Sequence, residues 1–292
     1  MHRISRTFRG LTLLGFVAMV LCAYFTVPAL SMDFSIAIDG DDGGPGDSEH
    51  PWRTLAKANA TLEPGDKVYV CSGTYRAAIR PVRSGISEAR IIYAVHKGDT
   101  VVLVGEEGGD SVVTLVDRQH IVVDGFAICG KPEATLIRFQ VAMNSPDTQH
   151  CTLRNCMIVN PRDSVKDLHS KTTLRAVAVN MCSSKHNTFE GNHIENWFIG
   201  LRFGSDSQFN IIRNNIIQNC IQKEVVCRGN SGIMAGNLIE GNLIEGNLIG
   251  GDMTTDGIQF DDGEEDSIAN RGIVIRNNTF FNNAENAIDL KA

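Results

Sequence analysis

Seven acids fall within fifteen residues: Asp252, Asp256, Asp261, Asp262, Glu264, Glu265 and Asp266. Crowded carboxylates repel one another and invite a hard cation, and Ca2+ takes about six to eight oxygen ligands, several of them often carboxylates. Asp256, Asp261 and Asp262 are therefore candidate metal ligands, with a solvated acidic loop as the alternative. The Asp-x-Asp-x-Asp-Gly spacing of an EF-hand is absent. As a pair of neighbouring carboxylates, Asp261 and Asp262 also have the residue types for glycosidase acid and base.

Those acids sit among short apolar-alternating stretches that recur along the chain. Gly200-Leu201-Arg202-Phe203, Gly232-Ile233-Met234, Gly257-Ile258-Gln259-Phe260 and Ala287-Ile288-Asp289-Leu290 are members, and Val112 to Leu115, Ile137 to Phe139 and Ala176 to Val179 are earlier relatives. Side chains alternate across a strand, so stacking these stretches in register sorts them by face. Arg202, Gln259 and Asp289 share one outward column, and Gly204, Asp261 and Lys291 the next. Leu201/Phe203, Ile258/Phe260 and Ile288/Leu290 point inward. One outer face is then expected to collect Arg202, Asp256, Gln259, Asp261, Asp262, Asp289 and Lys291, with Glu285 nearby.

A second repeat interleaves with the first. Arg154-Asn155-Cys156-Met157-Ile158-Val159-Asn160 aligns with Arg213 to Asn219 and Arg276 to Asn282, and Gly191 to Asn196 is a shorter relative. The step is 23 residues from Asn192 to Asn215 and 22 from Asn215 to Asn237. Such a period holds two or three strands of a few residues and no helix, and the Leu-x-x-Leu-x-Leu pattern of leucine-rich repeats is missing. Stacked coils of short parallel strands fit: inward Ile, Leu, Val and Phe make the core, and recurrent Asn supplies a left-handed turn residue that hydrogen-bonds along a ladder. The fold class expected is all-β, a right-handed parallel β-helix. Three Gly-Asn-Leu-Ile-(Glu/Gly) copies span Gly236 to Gly250. Five residues cannot close a coil, so the extra ten read as a lengthened turn or a bulge, with added stacking surface as the alternative.

Arg3, Arg6 and Arg9 precede an apolar run from Leu11 to about Leu30, and Ala29-Leu30-Ser31 supplies a small-residue cleavage site. This is the pattern of a signal peptide, assigned to residues 1–31; left uncleaved, the run would be a membrane anchor. Export places the protein outside the cell, in a periplasm or on the cell surface. Removing three Arg from 27 basic residues against 34 acids leaves a net charge of −10. Such a chain is a poor nucleic-acid partner, since that binding rests on neutralising phosphates. Of eight Cys, Cys22 lies in the leader, and the other seven lack zinc spacing and read mostly as buried small hydrophobes. Eight His are scattered without metal spacing, His186 and His193 among them as turn or surface residues.

Asp39-Gly40-Asp41, Pro51-Trp52-Arg53-Thr54-Leu55, Pro64-Gly65-Asp66-Lys67-Val68-Tyr69-Val70 and Gly73-Thr74-Tyr75 follow in order. This 37-residue stretch resembles the start of secreted pectin-lyase-like β-helix proteins, in which it caps the first coil. The resemblance implies a cap and first coil over residues 32–75, with a short helix from Leu55 to Leu62, Trp52 and Leu55 on the core, and β-helix coils over 76–292. The chain stops two residues after Leu290, so the last coil is expected to be truncated or covered by a partner. Asp256-Gly257-Ile258 and Glu285-Asn286-Ala287-Ile288-Asp289 resemble the Ca2+-binding Asp-Gly-Phe and Asp-Asp-Gly-Trp-Asp segments of family-nine pectate lyases. That carry-over makes Asp256, Glu285 and Asp289 ligands, with Asn286 a neutral substitute. It implies β-elimination on a uronate polysaccharide: a cation neutralises the uronate carboxylate and a base removes the C5 proton. Lys291 and Arg202 are the candidate catalytic residues, Arg202 the poorer base because a guanidinium barely deprotonates. A Ca2+-dependent polysaccharide lyase is thus the first reading. A non-catalytic glycan-binding β-helix and a glycoside hydrolase or uronate epimerase are the others. A glycan partner and a monomer are expected in each case.

Overall fold

The computed structural model describes residues 31–105, 111–129, 139–160, 177–197, 199–204, 206–220, 223–228, 234–235, 237–245, 256–261, 270–283 and 286–291. Ser31 to Ala292 form one compact unit. Among the described residues, three long all-parallel sheets of nine, eight and seven strands run the length of the chain. A right-handed parallel β-helix results, successive coils stacking strand on strand within each sheet. Sheet A takes strands such as Ile121–Asp124, Thr152–Arg154, Thr188–Glu190, Ile211–Arg213, Leu238–Glu240 and Val274–Arg276. Sheet B takes Met157–Val159, His193–Glu195, Ile216–Gln218, Leu243–Glu245 and Thr279–Phe281. Sheet C takes Val113–Thr114, Phe139–Ala142, Val177–Asn180, Ile199–Gly204, Lys223–Arg228, Asp256–Asp261 and Ile288–Lys291.

The inward columns are apolar rung by rung. Val123, Leu153, Phe189, Ile212 and Ile239 stack in sheet A, and Ile128, Ile158, Ile194, Ile217 and Ile244 in sheet B. All ten are fully buried. Burying each such side chain is worth roughly 1.5–3 kcal/mol, which is what closes a coil around so few residues.

The turn between sheets A and B is built on a five-residue offset: Thr152 and Met157, Thr188 and His193, Ile211 and Ile216, Leu238 and Leu243, Val274 and Thr279 begin paired strands. The pentapeptide copies are this unit. Leu238–Glu240 lies in sheet A and Leu243–Glu245 in sheet B of a single coil, each stacked on an ordinary coil below. The expectation of a ten-residue bulge is therefore corrected for the first two copies; the third, 246–250, lies outside the described residues. Asn215 stacks on Asn242 rather than Asn237, which belongs with Asn210.

The expected asparagine ladder exists, with its two duties on adjacent residues. The left-handed position is filled by Asn155, Gly191, Asn214, Gly241 and Asn277 at φ 55, 64, 56, 63 and 55°. The next residue is the rung. The Cys156 N–H donates to Asn192 Oδ1 (2.9 Å), Asn192 N–H to Asn215 Oδ1 (2.8 Å), Asn215 N–H to Asn242 Oδ1 (2.9 Å) and Asn242 N–H to Asn278 Oδ1 (2.9 Å). A parallel ladder runs from Cys151 through Asn187 and Asn210 to Asn237. An amide side chain is needed because a turn leaves backbone N–H groups inside the coil that no strand can accept. Cys151 and Cys156 begin the ladders as buried thiols, pushed up to about 12 by burial. Cys220 is likewise buried, whereas Cys71, Cys129 and Cys182 are half-buried.

The outer face of sheet A carries an alternating charge column, Asp124, Arg154, Glu190, Arg213, Glu240 and Arg276, in strict register. Arg154 meets Asp124 at 2.8 Å, Arg213 meets Glu190 at 3.0 Å and Arg276 meets Glu240 at 2.9 Å. Glu190→Lys would set an ammonium between Arg154 and Arg213. A loss of about 1 kcal/mol is expected in urea unfolding, smaller in high salt because these charges face water.

Helix α1 (Leu55–Thr61) covers the first coil. Thr54 caps it, its side chain accepting from the Lys57 N–H at 3.1 Å. Trp52, 2% exposed, stacks on Phe34 at 4.3 Å and donates Nε1–H to the Gly44 carbonyl at 3.1 Å, and Leu55 is fully buried. Gly46, at φ 83°, has no room for a Cβ against the Trp52 ring. Among the described residues, no helix is long and apolar enough to cross a membrane.

Candidate functional site

Sheet C brings the expected residues together by register. Asn180, Arg202, Val226, Gln259 and Asp289 occupy one column, and Gly204, Arg228, Asp261 and Lys291 the column two residues on. The strand between the Arg202 and Gln259 coils is Lys223–Arg228, not the expected Gly232-Ile233-Met234. Met234–Ala235 instead pairs with Asn270–Arg271 in a separate two-stranded sheet. Lys223-Glu224-Val225-Val226-Cys227-Arg228 escapes a pattern search because its apolar residues run together rather than alternate. Its inclusion places Arg228 in backbone register with Asp261.

Asp256 departs from the outer-face expectation. It shares strand parity with Ile258, not with Gln259, and is fully buried. A buried carboxylate needs donors, and it has them: Asn286 Nδ2–H donates to Oδ1 at 3.0 Å and Gln259 Nε2–H to Oδ2 at 3.4 Å. Gln259 Nε2 also donates to Asp289 Oδ2 at 3.0 Å. Gln259 thus ties two carboxylates on consecutive coils, one sealed inside the corner and one half-exposed. Asn286, a neutral substitute by sequence, acts as the donor that holds Asp256. Gly257 completes the corner, its N–H donating to the Asn286 carbonyl at 2.9 Å, and a Cβ there would lie 2.7 Å from the Ala287 carbonyl oxygen.

Arg202 is half-exposed at the opposite end of the column, beside Asn180, whose Oδ1 accepts from the Cys182 N–H at 3.3 Å. Burial pushes the Cys182 thiol up, and the Arg202 charge opposes that shift. Asp261 and Lys291 are placed by their backbone register; Asp262 and Glu285 lie outside the described residues. Among the described residues no three acid, imidazole or thiol groups gather closely enough to hold a metal ion. Gln259, also expected on the outer face, is buried as well, which leaves half-exposed Asp289 as a hard oxygen donor of the kind Ca2+ takes.

A family model described as "Protein of unknown function (DUF1565)" matches residues 38–292. The curated "Uncharacterized protein YwoF" of Bacillus subtilis (strain 168) is 27% identical over 119 residues, which is 38% of this chain and 25% of YwoF. The chain therefore spans about a quarter of that relative's length. Among solved structures, pectate lyase Pel9A superposes with a TM-score of 0.55 at 12% identity, covering 90% of this chain and 78% of Pel9A. The GH136 lacto-N-biosidase from Eubacterium ramulus, as its selenomethionine derivative, gives 0.51 at 12% identity, covering 88% and 57%. At such identity the likeness establishes the fold.

Proposed function

This chain belongs to the DUF1565 family, and from that membership and its pectin-lyase-like parallel β-helix we propose that it is an exported carbohydrate-active protein that cleaves a uronate polysaccharide by Ca2+-assisted β-elimination. One observation carries the reading: sheet C sets Arg202, Gln259 and Asp289 in one register column and Arg228, Asp261 and Lys291 in its neighbour. A face that interleaves cations with oxygen donors suits a polyanionic chain, which a chain of net negative charge would otherwise repel. Pel9A and the lacto-N-biosidase, whose folds it shares, are named for acting on glycans.

Asp289 and Asp261 would hold Ca2+, with Asp262 and Glu285 as the further acids of the set, while buried Asp256 and Gln259 support them from behind. The ion's contribution would be to neutralise the uronate carboxylate and acidify C5. Lys291 takes the C5 proton, the C4–O bond breaks as a C4=C5 double bond forms, and the departing oxygen gains a proton. Such a base needs a lowered pKa, which neighbouring cations favour. Arg202 and Arg228, always charged, bind neighbouring uronates. Asp256 positions Asn286 and Gln259 from behind the face.

The assay is direct. Purified protein with polygalacturonate or alginate and Ca2+ is expected to raise ultraviolet absorbance from unsaturated ends, and EGTA to abolish the rise. A flat trace across a panel of uronate polymers contradicts the proposal. A Ca2+- or glycan-dependent melting shift without turnover would replace it with the binding reading, which the withdrawal of Asp256 from the surface favours.

A further inference from the structure

The corner between sheets C and A carries a stack of rings on its outer side. His120, His150 and His186 lie face to face, with centroids 4.8 and 5.0 Å apart and planes within 4 and 9° of parallel, and Phe209 continues the stack at 5.0 Å and 11°. All four occupy the left-handed turn position, at φ 55, 56, 55 and 55°. The residues before them, Gln119, Gln149, Lys185 and Gln208, form parallel bridges from coil to coil. The His120 N–H donates to the Gln149 carbonyl at 3.1 Å and the His186 N–H to the Gln208 carbonyl at 3.0 Å. The rings are thus held at the coil spacing by backbone, and cannot separate without opening the corner.

Neutral imidazoles stack well; charged ones at this spacing repel. Around His120, burial and the Arg90 charge oppose protonation more strongly than Glu88 favours it. His120 Nδ1 is buried with no hydrogen-bond partner among the described residues, so a proton there would have no acceptor. The Arg90 guanidinium acts on both His120 and His150, and Glu88 is the acid that acts on His120. Parallel rings aim their nitrogen lone pairs side by side rather than at a common point, which disfavours a shared metal ion.

We propose that the His120–His150–His186 stack is an acid-sensitive spine, in which protonation drives the rings apart and loosens the coils between Gln119 and Phe209. Those coils include Asn180 and Arg202, so acidification would disturb one end of the sheet C columns. The proposal does not depend on what those columns bind. Burial holds the His120 imidazole below its ordinary value, with Arg90 adding to it, and holds His150 low with the His120, His186 and Arg90 charges adding to it. Unfolded imidazoles titrate near about 6.5, so the unfolded chain takes up protons first as pH falls through that value, and the folded state loses stability below it.

The test compares melting temperature at pH 7.5 and 5.5 for the wild type and His150→Phe, with imidazole titration of the wild type by NMR. The wild type is expected to lose a few degrees over that interval, and His150→Phe, which keeps a ring but cannot charge, to lose less than half as much. The His150 resonance should titrate below 6.5. Equal acid losses in a well-folded His150→Phe, or a wild-type His150 titrating at or above 6.5, would overturn the proposal. Should His150→Phe not fold at pH 7.5, the NMR titration decides alone.

Discussion

Asn215→Leu is expected to lower stability by on the order of 4 kcal/mol. The side chain is almost completely buried at the centre of its ladder. Its Oδ1 accepts from the Asn192 N–H and from Asn192 Nδ2–H, while its own Nδ2–H donates to the Phe189 carbonyl at 3.0 Å and to Asn242 Oδ1. Leucine is close in volume but offers none of these, so the Asn192 N–H and the Phe189 carbonyl lose partners away from water. Each such loss costs about 1–3 kcal/mol, and the branched side chain must also fit a coil corner shaped for a planar amide. Asn278→Leu provides the control. Asn278 makes equivalent bonds to Asn242 and to the Ile239 carbonyl, yet it is half-exposed, and water can replace what it loses. Urea unfolding of the pair should separate them by about 2 kcal/mol; equal losses would mean that the ladder adds nothing cooperative. The size of the effect matters because whole domains are stable by only about 5–15 kcal/mol.

Asp289→Ala is expected to reduce uronate cleavage by about a hundredfold or more while leaving the melting temperature within a degree or two. Removing one preorganised charge partner commonly costs two to three orders of magnitude in rate, roughly 3–4 kcal/mol. Asp289 is half-exposed in its column, and the Gln259 amide that its removal frees can be reached by water through the vacated space. Asp256→Asn should behave in the opposite way. Its new NH2 would face the Asn286 or Gln259 amide donor inside a sealed corner, costing roughly 1–3 kcal/mol of stability. Activity would fall in Asp256→Asn only as far as Gln259 and Asn286 lose their places. Rate and melting measurements on the two variants separate a group that meets the glycan from one that positions others. The same rate loss in both variants at unchanged stability would contradict the division.

Much of this was legible without coordinates, for a physical reason: a β-helix writes its register into a period-two alternation and repeated turn residues. Arg202, Gln259 and Asp289 fall in one column, and Gly204, Asp261 and Lys291 in the next, because Leu201 and Ile258 mark the inward side; Ile288, expected inward with them, is exposed. What escaped was hidden by uneven coil lengths. Ladder partners are 36 residues apart at Cys156 and Asn192, 23 at Asn192 and Asn215, and 27 at Asn215 and Asn242. Lys223–Arg228 therefore had no fixed period to announce it, and the pentapeptide copies passed for a bulge. The His120, His150, His186 and Phe209 stack was invisible for the same cause, since its members look scattered until the coils are wound. The Asp-Gly motif does not reveal the place of Asp256, whose strand parity, shared with Ile258, turns its side chain inward. Asn286 looked like a lost carboxylate, yet its amide is what a buried Asp256 requires.

Mass spectrometry of the products released from a defined oligogalacturonate distinguishes elimination from hydrolysis. Elimination is expected to give fragments whose new non-reducing ends are unsaturated, with no water gained, and none of them from Asp289→Ala or in the presence of EGTA. Saturated fragments that have gained water would make the face a hydrolase. An intact substrate recovered from active, folded protein across uronate oligomers would contradict the lyase altogether.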